Sequence, residues 1–204
     1  MDEITITKKF YDKYAQHWID TKTNSFIHEK PFATLMTVWP TKAQIIDIGC
    51  AAGIHVPLFL GIGHGLKYHG LDISKTFLKV ATRRYPQLKF SLANIADRNT
   101  LPTGKYTGFL ATAILMHIPF PDWDTTFENI ERLVQPGSYG YVTLPIAHPS
   151  AEKADTDVRH FTILSAAEQI AYFKKRNWKI IKKGSLDGTS TAAVWHYYII
   201  QLPQ

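Results

Sequence analysis

From residue 43 onward, short runs rich in β-branched residues alternate with amphipathic helical stretches, and this alternation leaves few folds open. Ala43 to Ile48 reads as a buried strand that breaks at Gly49. Gly53 to Leu60 follows as a helix, with Pro57 acceptable only in its first turn. Leu66 to Leu71 is the next strand and ends at Asp72. Ser74 is suited to cap a helix reaching about Arg84, with Phe77, Ala81 and Tyr85 facing inward and Lys75, Lys79 and Arg83 facing water. Leu88 to Leu92 and Tyr106 to Ala113 are further strands. Trp123, Phe127, Ile130 and Val134 line one face of a helix that stops before Pro136-Gly137, and Tyr139 to Leu144 is the fifth strand. Beyond a polar loop at 146–163, Ser165 and Glu168 form a capping box for a helix ending near Asn177, with Ala166, Ile170 and Phe173 inward. Two last strands, Trp178 to Lys183 and Val194 to Leu202, are joined by Gly184-Ser185-Leu186-Asp187-Gly188 and pair antiparallel.

Such a chain is expected to form an α/β, doubly wound, mostly parallel seven-stranded sheet with right-handed crossovers and an antiparallel last strand. Sheets of this kind bind ligands beyond the carboxyl ends of their strands, at the point where strand order reverses. That places a site at Gly49–Gly53, Asp72, Asn94 and Thr112–His117. The first forty residues differ in character. Phe10, Tyr14 and Trp18 fall at helical spacing beside Tyr11 and Ala15, and a second short helix fits Pro31 to Val38. The expected organisation is one domain over 1–204, with residues 1–40 a helical cover and 41–204 the α/β core.

Composition narrows the function classes. Hydrophobic residues at 45% and charged residues at 20% describe a globular protein. The most apolar run, Phe109 to Phe120, is interrupted by Thr112, His117 and Pro119, far short of the roughly 20 apolar residues that span a bilayer. Met1-Asp2-Glu3 lacks the basic-then-apolar order of a signal peptide, and the lone Cys50 cannot form an internal disulfide, so a cytoplasmic location is expected. The net charge of +6 and the cluster Lys174, Lys175, Arg176, Lys179, Lys182 and Lys183 admit a nucleic-acid partner, but a solvated helix end running into an exposed strand accounts for them better. His55, His64 and His69 lie apart in the predicted elements and Cys50 has no companion at zinc-ligand spacing, so no metal site is indicated.

The informative segment is Ile45-Ile46-Asp47-Ile48-Gly49-Cys50-Ala51-Ala52-Gly53. A buried strand runs into small residues that let the backbone approach a ligand, with glycine free to take φ > 0. The run matches neither a dinucleotide fingerprint nor a Walker loop. Together with the strand-end Asp72 it resembles the first motif of the class I S-adenosylmethionine (SAM)-dependent methyltransferases, with Ala51 in place of the middle glycine. Two further segments support the resemblance: Tyr11-Asp12 with Ala15 and Trp18 is similar to the family's lid helix. Leu133-Val134-Gln135-Pro136-Gly137-Ser138 is similar to its turn into the fifth strand, with Ser138 for the second glycine.

The resemblance implies a set of roles around a SAM cofactor. Asp72 would accept hydrogen bonds from both ribose hydroxyls, Ile73 would pack on the adenine, and Asn94, followed by Ile95, would receive the adenine amino group. Gly49, Ala51 and Gly53 would flank the methionine portion, Thr112 and Ala113 would touch the sulfonium region, and Asp47 would hold the glycine loop. Tyr11 and Trp18 would close over the cofactor. Methyl transfer needs alignment and, for a neutral acceptor, removal of a proton; His117 is the best base candidate. His148, Arg159, His160 and Phe161 lie in the loop where the family builds acceptor sites, the arginine and the phenylalanine being suited to an anionic or aromatic group. The expected activity is methylation of O, N or S on a small molecule. RNA or DNA methylation and a non-catalytic SAM-binding module are the alternatives.

Overall fold

In the computed structural model, which describes residues 1–21, 29–60, 65–147, 157–186 and 194–204, the strands are β1 (Gln44–Ile48), β2 (Lys67–Asp72), β3 (Lys89–Leu92), β4 (Tyr106–Thr112), β5 (Val134–Pro145), β6 (Lys179–Leu186) and β7 (Trp195–Gln201). They form one seven-stranded sheet in the order β3-β2-β1-β4-β5-β7-β6. Pairing is parallel from β3 through β5, and β7 runs antiparallel to both β5 and β6. The expected α/β sheet, mostly parallel with its last strand reversed, is what the chain forms. The helices are α1 (Glu3–Thr21), α2 (Glu29–Val38), α3 (Val56–Leu60), α4 (Lys75–Arg84), α5 (Trp123–Leu133) and α6 (Ala166–Lys175). None in the described residues is long and apolar enough to cross a membrane.

Strand alternation sorts the core into two layers. From β1, Ile46 and Ile48 join one layer with Phe109, Phe127, Phe173 and Trp178, against α5 and α6. Ile45 joins the other with Leu110, Phe32, Leu35, Trp39, Phe59 and Tyr68, against α2 and α3. Trp39 pins the second layer to the sheet by donating its indole N–H to the Tyr139 carbonyl at 3.0 Å. Helix α1 belongs to neither layer. Its Ala15 and Ile19 pack with Ala52 and Phe77, so it lies over the turn that leaves β1 and against α4.

Several boundaries shift for identifiable reasons. The inward stripe of α1 is Thr7, Tyr11, Ala15 and Ile19, while Tyr14 is 40% exposed; the Phe10, Tyr14, Trp18 row lies beside the buried one, and Thr7 is buried although polar because its hydroxyl accepts the His160 N–H at 2.9 Å. Only α1 covers the ends of the strands; α2, grouped with it by sequence, is part of the sheet's core layer. Helix α3 begins at Val56 rather than Gly53, because Gly53 sits at φ +77. Helix α5 ends at Leu133 and β5 already starts at Val134, with Gly137 at φ +73 inside the extended segment. Strand β6 runs on to Leu186, so Gly184, Ser185 and Leu186 pair with β7 instead of forming the connection. Helix α4 and the capping box of α6 are as the spacing predicts; α6 turns Gln169 and Tyr172 inward along with Phe173, with Ile170 half-buried against the same core and Ala166 partly exposed.

The turn after β1 has unusual backbone. Gly49, Ala51 and Gly53 all occupy positive φ, at +75, +48 and +77, and the Gly49 and Cys50 amides both donate to the Leu71 carbonyl, at 2.8 and 2.9 Å. Left-handed backbone suits glycine and costs a residue with a Cβ about 1 kcal/mol, so Ala51 sits in a strained position. Ala51→Gly should therefore raise the urea midpoint, corresponding to a gain of about 1 kcal/mol at unchanged denaturant slope; an unchanged or lower midpoint would show that the alanine is unstrained.

Candidate active site

The sheet reverses its winding between β1 and β4, and a cavity of about 240 Å³ opens at that point. Gly49, Ala51, Asp72, Ile73, Asn94, Ile95, Thr112 and Ala113 supply its wall from the strand ends, Tyr11 and Trp18 from α1, and His117 and Arg159 from the segments beyond β4 and β5. Asp47, Gly53, His160 and Phe161 stand behind that wall, and His148 lies outside the described residues.

At one end the cavity is organised by Asp72. Its Oδ2 accepts the Ala51 N–H at 2.9 Å and its Oδ1 the Ser74 N–H at 2.8 Å. Each carboxylate oxygen keeps a lone pair after these bonds, so two acceptors remain for the cavity. Burial raises its pKa to about 6 against the pull of the two amides, with Asp47 and Asp12 adding repulsion. Ser74 caps α4 and donates its hydroxyl to Asp12 Oδ1 at 2.5 Å, which ties α1 to the same corner. Ile73 and Ile95 provide apolar wall beside it. The Asn94 side-chain oxygen accepts the Ala96 N–H at 3.0 Å and retains one lone pair. A carboxylate with two free acceptor positions, apolar surfaces and a left-handed turn of small residues fit a nucleoside carrying a vicinal diol and an amino-acid tail.

Asp47 does not grip the glycines. Its Oδ2 faces Tyr68 Oη at 2.5 Å and His55 Nδ1 at 2.9 Å, so it holds the first residues past the loop, while Leu71 and Asp72 hold the loop itself. His55 was the residue least visible in advance, since its partners come from β1 and β4. His69 is tied between the Tyr106 hydroxyl and Ser91, and burial lowers its pKa to about 4.

At the other end a directed chain of hydrogen bonds crosses the wall. Arg159 Nη1 donates to Tyr11 Oη at 3.0 Å, Tyr11 Oη lies 2.7 Å from His117 Nε2, and His117 Nδ1 lies 2.8 Å from the His160 carbonyl. A carbonyl only accepts, so Nδ1 carries the hydrogen and Nε2 receives the tyrosine proton. Burial depresses the His117 pKa to about 3, and the ring is neutral at ordinary pH. Arg159 stacks between Phe10 and Phe161, 4.8 and 4.9 Å from their ring centres, and its Nε contacts Asp157 at 2.9 Å with both side chains under a tenth exposed. The segment read as a polar loop is thus packed over its described part, with Thr162 N–H donating to the Met116 carbonyl at 2.7 Å. Phe161 acts through Arg159 and the His117 ring, 4.9 Å away, and His160 through its backbone. Ile4, Thr7, Phe77, Met116 and Trp195 also line the cavity; only the apolar periodicity of α1 and α4 hinted at any of them.

A family model described as a methyltransferase domain matches residues 45–137, from β1 to the turn entering β5. Trans-aconitate 2-methyltransferase of Rhizobium meliloti is 26% identical over 145 residues, which are 71% of this chain and 52% of the relative; the chain spans about half the length of that curated relative. Two solved structures share the fold: 1,6-didemethyltoxoflavin-N1-methyltransferase of Burkholderia thailandensis (TM-score 0.76, 13% identity, covering 98% of this chain and 88% of that one) and magnesium protoporphyrin IX methyltransferase of Synechocystis with bound S-adenosylhomocysteine (0.71, 14%, 98% and 100%). The domain match, the sheet order and the crevice at its reversal agree with one another: residues 45–137 match a methyltransferase domain, and the chain has the fold of these two methyltransferase structures.

Proposed function

We propose that this chain transfers the methyl group of SAM to an oxygen, nitrogen or sulfur atom of a small-molecule acceptor. The observation that carries the reading is the Arg159–Tyr11–His117 chain, which walls the cavity with α1 drawn over it. A mostly apolar space bounded by Ile114, Met116, Ile118 and Trp195 suits a compact acceptor better than a charged polymer. The relatives point the same way: their names give trans-aconitate, 1,6-didemethyltoxoflavin and magnesium protoporphyrin IX as what they act on. Within the basic cluster, two of its six charges are compensated, Arg176 by Glu131 at 2.9 Å and Lys175 by Asp124 at 3.6 Å.

Bound SAM supplies a methyl group on positively charged sulfur, which an acceptor electron pair displaces in line. In this reading the protein's own groups do the rest. Asp72 takes the ribose hydroxyls, Ile73 and Ile95 hold the base, and Asn94 receives its amino group. Gly49 and Ala51 leave room for the amino-acid tail, and Trp18 covers it. Tyr11 Oη stands at the cavity with His117 behind it. The proton of a neutral acceptor is held in a hydrogen bond to Tyr11 Oη, whose own hydrogen is committed to His117 Nε2, and it leaves to solvent once the methyl group has been transferred. Arg159 stabilises the negative charge that these bonds draw onto the phenol oxygen. His117 then acts through Tyr11 rather than at the acceptor.

Methyl-labelled SAM offered to a metabolite extract and to total RNA should place label in small molecules; label confined to RNA, and falling steeply with added salt, would overturn the reading. Asp72 must be ionised to receive two hydroxyl hydrogens, and protons compete for it. S-adenosylhomocysteine affinity should therefore be flat above about pH 7 and weaken below about 6, approaching tenfold per unit. Asp72→Asn should flatten that profile and weaken binding by about 1–3 kcal/mol, whereas His117→Gln should leave its shape unchanged. Calorimetry from pH 5 to 8 checks all three. Tyr11→Phe should lower kcat about a hundredfold with S-adenosylhomocysteine affinity nearly unchanged, and an equal loss in both would assign Tyr11 to cofactor binding alone.

A further inference from the structure

The acid at the end of β1 is connected to the cavity by a second buried line that the transfer step does not use. Asp47 and His55 are fully buried, and Thr112 is 5% exposed. His55 Nδ1 lies 2.9 Å from Asp47 Oδ2, and His55 Nε2 lies 3.1 Å from Thr112 Oγ1, which belongs to the cavity wall. Asp47 Oδ1 is buried with no hydrogen-bond partner. The sheet explains the juxtaposition. β1 and β4 are parallel neighbours with Asp47 opposite Leu110, and strand alternation sends Asp47, Leu110 and Thr112 to the same face. The residues just before α3 cross that face, and His55 spans the step from Asp47 to Thr112.

Donor counting fixes the directions. A carboxylate only accepts, so the His55 nitrogen facing Asp47 carries the hydrogen, and with no second hydrogen on the ring Nε2 is an acceptor. Its donor is the Thr112 hydroxyl. With that hydrogen committed to His55, the Thr112 hydroxyl has only lone pairs to offer a ligand. Behind them stands a buried carboxylate with one oxygen unmatched. A lone-pair surface backed by negative charge selects a cationic N–H donor and repels a carboxylate.

We propose that His55 is a positioning residue that locks the Thr112 hydroxyl as the hydrogen-bond acceptor for the ammonium group of the cofactor's methionine portion. This rests on the cavity being the cofactor site, where the amino-acid tail lies between the Gly49–Gly53 turn and the end of β4. The tail has two ends of opposite charge, and an acceptor-only Thr112 decides which one turns toward β4. Orientation of the tail in turn sets the direction of the sulfur and its methyl group.

The test compares two ligands by calorimetry: S-adenosylhomocysteine, and 5′-methylthioadenosine, which keeps the nucleoside and sulfur but lacks the amino-acid tail. Thr112→Val keeps the side-chain shape and removes only the hydroxyl. It should weaken S-adenosylhomocysteine about tenfold to a hundredfold, the range for a hydrogen bond to a charged group, and leave 5′-methylthioadenosine within about twofold. Thr112→Ser should restore the difference between the ligands, and His55→Gln should lose it as Thr112→Val does. Nitrogen-15 NMR of the unaltered protein provides a readout that does not depend on variants folding: His55 should carry its proton on Nδ1 and none on Nε2, with and without S-adenosylhomocysteine. A Thr112→Val protein that binds both ligands like the parent, or loses both equally, overturns the proposal, as does a proton on Nε2. A parent protein that binds neither ligand overturns the cofactor assignment itself, and this inference with it.

Discussion

The carboxylate of Asp72 joins three pieces of chain that are distant in sequence. One oxygen holds the turn after β1 through the Ala51 amide, and the other holds the start of α4 through the Ser74 amide. Ser74 in turn caps α4 and reaches Asp12 on α1. Glycine loop, helix start and covering helix are therefore fixed relative to one side chain at the end of β2. A buried carboxylate is costly unless hydrogen-bonded, and here both amides come from backbone that must be in place for the crevice to exist. The group that organises the site is also the group aimed into it, which makes the geometry of the crevice and the stability of its corner the same problem.

The two acids beside the loop divide the work by their distance from the strand ends. Asp72 ends its strand at the cavity, whereas Asp47 lies one residue inside β1 and points into the layer that holds Tyr68 and Phe59. Burial acts on both, but the partners differ. Asp72 is met by amides and open space, Asp47 by a phenol and an imidazole. The first arrangement leaves acceptor capacity for a ligand, and the second passes the influence of the charge through side chains to the end of β4.

Much of the frame was legible because it depends on local pattern. Short β-branched runs and capped amphipathic helices gave the sheet's class and most strand limits within a residue or two; β4, read to Ala113, ends at Thr112. What failed depended on contacts distant in sequence. The inward face of α1 was ambiguous, since aromatic residues occupy adjacent rows and Thr7 is buried only because His160 needs an acceptor. The segment after β5 read as a loop because its residues are polar, yet Asp157 and Arg159 satisfy each other and Arg159 lies among aromatic rings. Asp47 was matched to the loop by motif position, although its place beside inward-facing Ile46 and Ile48 already put its side chain on the opposite face. His55 required knowledge of the β1–β4 register, which no local pattern contains.

The charges on the wall are consistent with a cofactor that is itself a cation. Imidazole protonated beside a sulfonium would oppose binding, and burial holds His117 neutral with a pKa near 3. Arg159 is needed near the phenol of Tyr11, and its charge is met at once by Asp157. Arg84, the other cation at the cavity, is on the exposed side, where water and salt screen it. Carboxylates, by contrast, stand close in, Asp72 on the wall and Asp47 buried behind it. The same distribution bears on the acceptor end in the proposed reading. Positive charge there is internally compensated, so a substrate gains hydrogen bonds and apolar contact without a strong net field. Discrimination among acceptors then rests on shape and on one well-placed proton more than on charge.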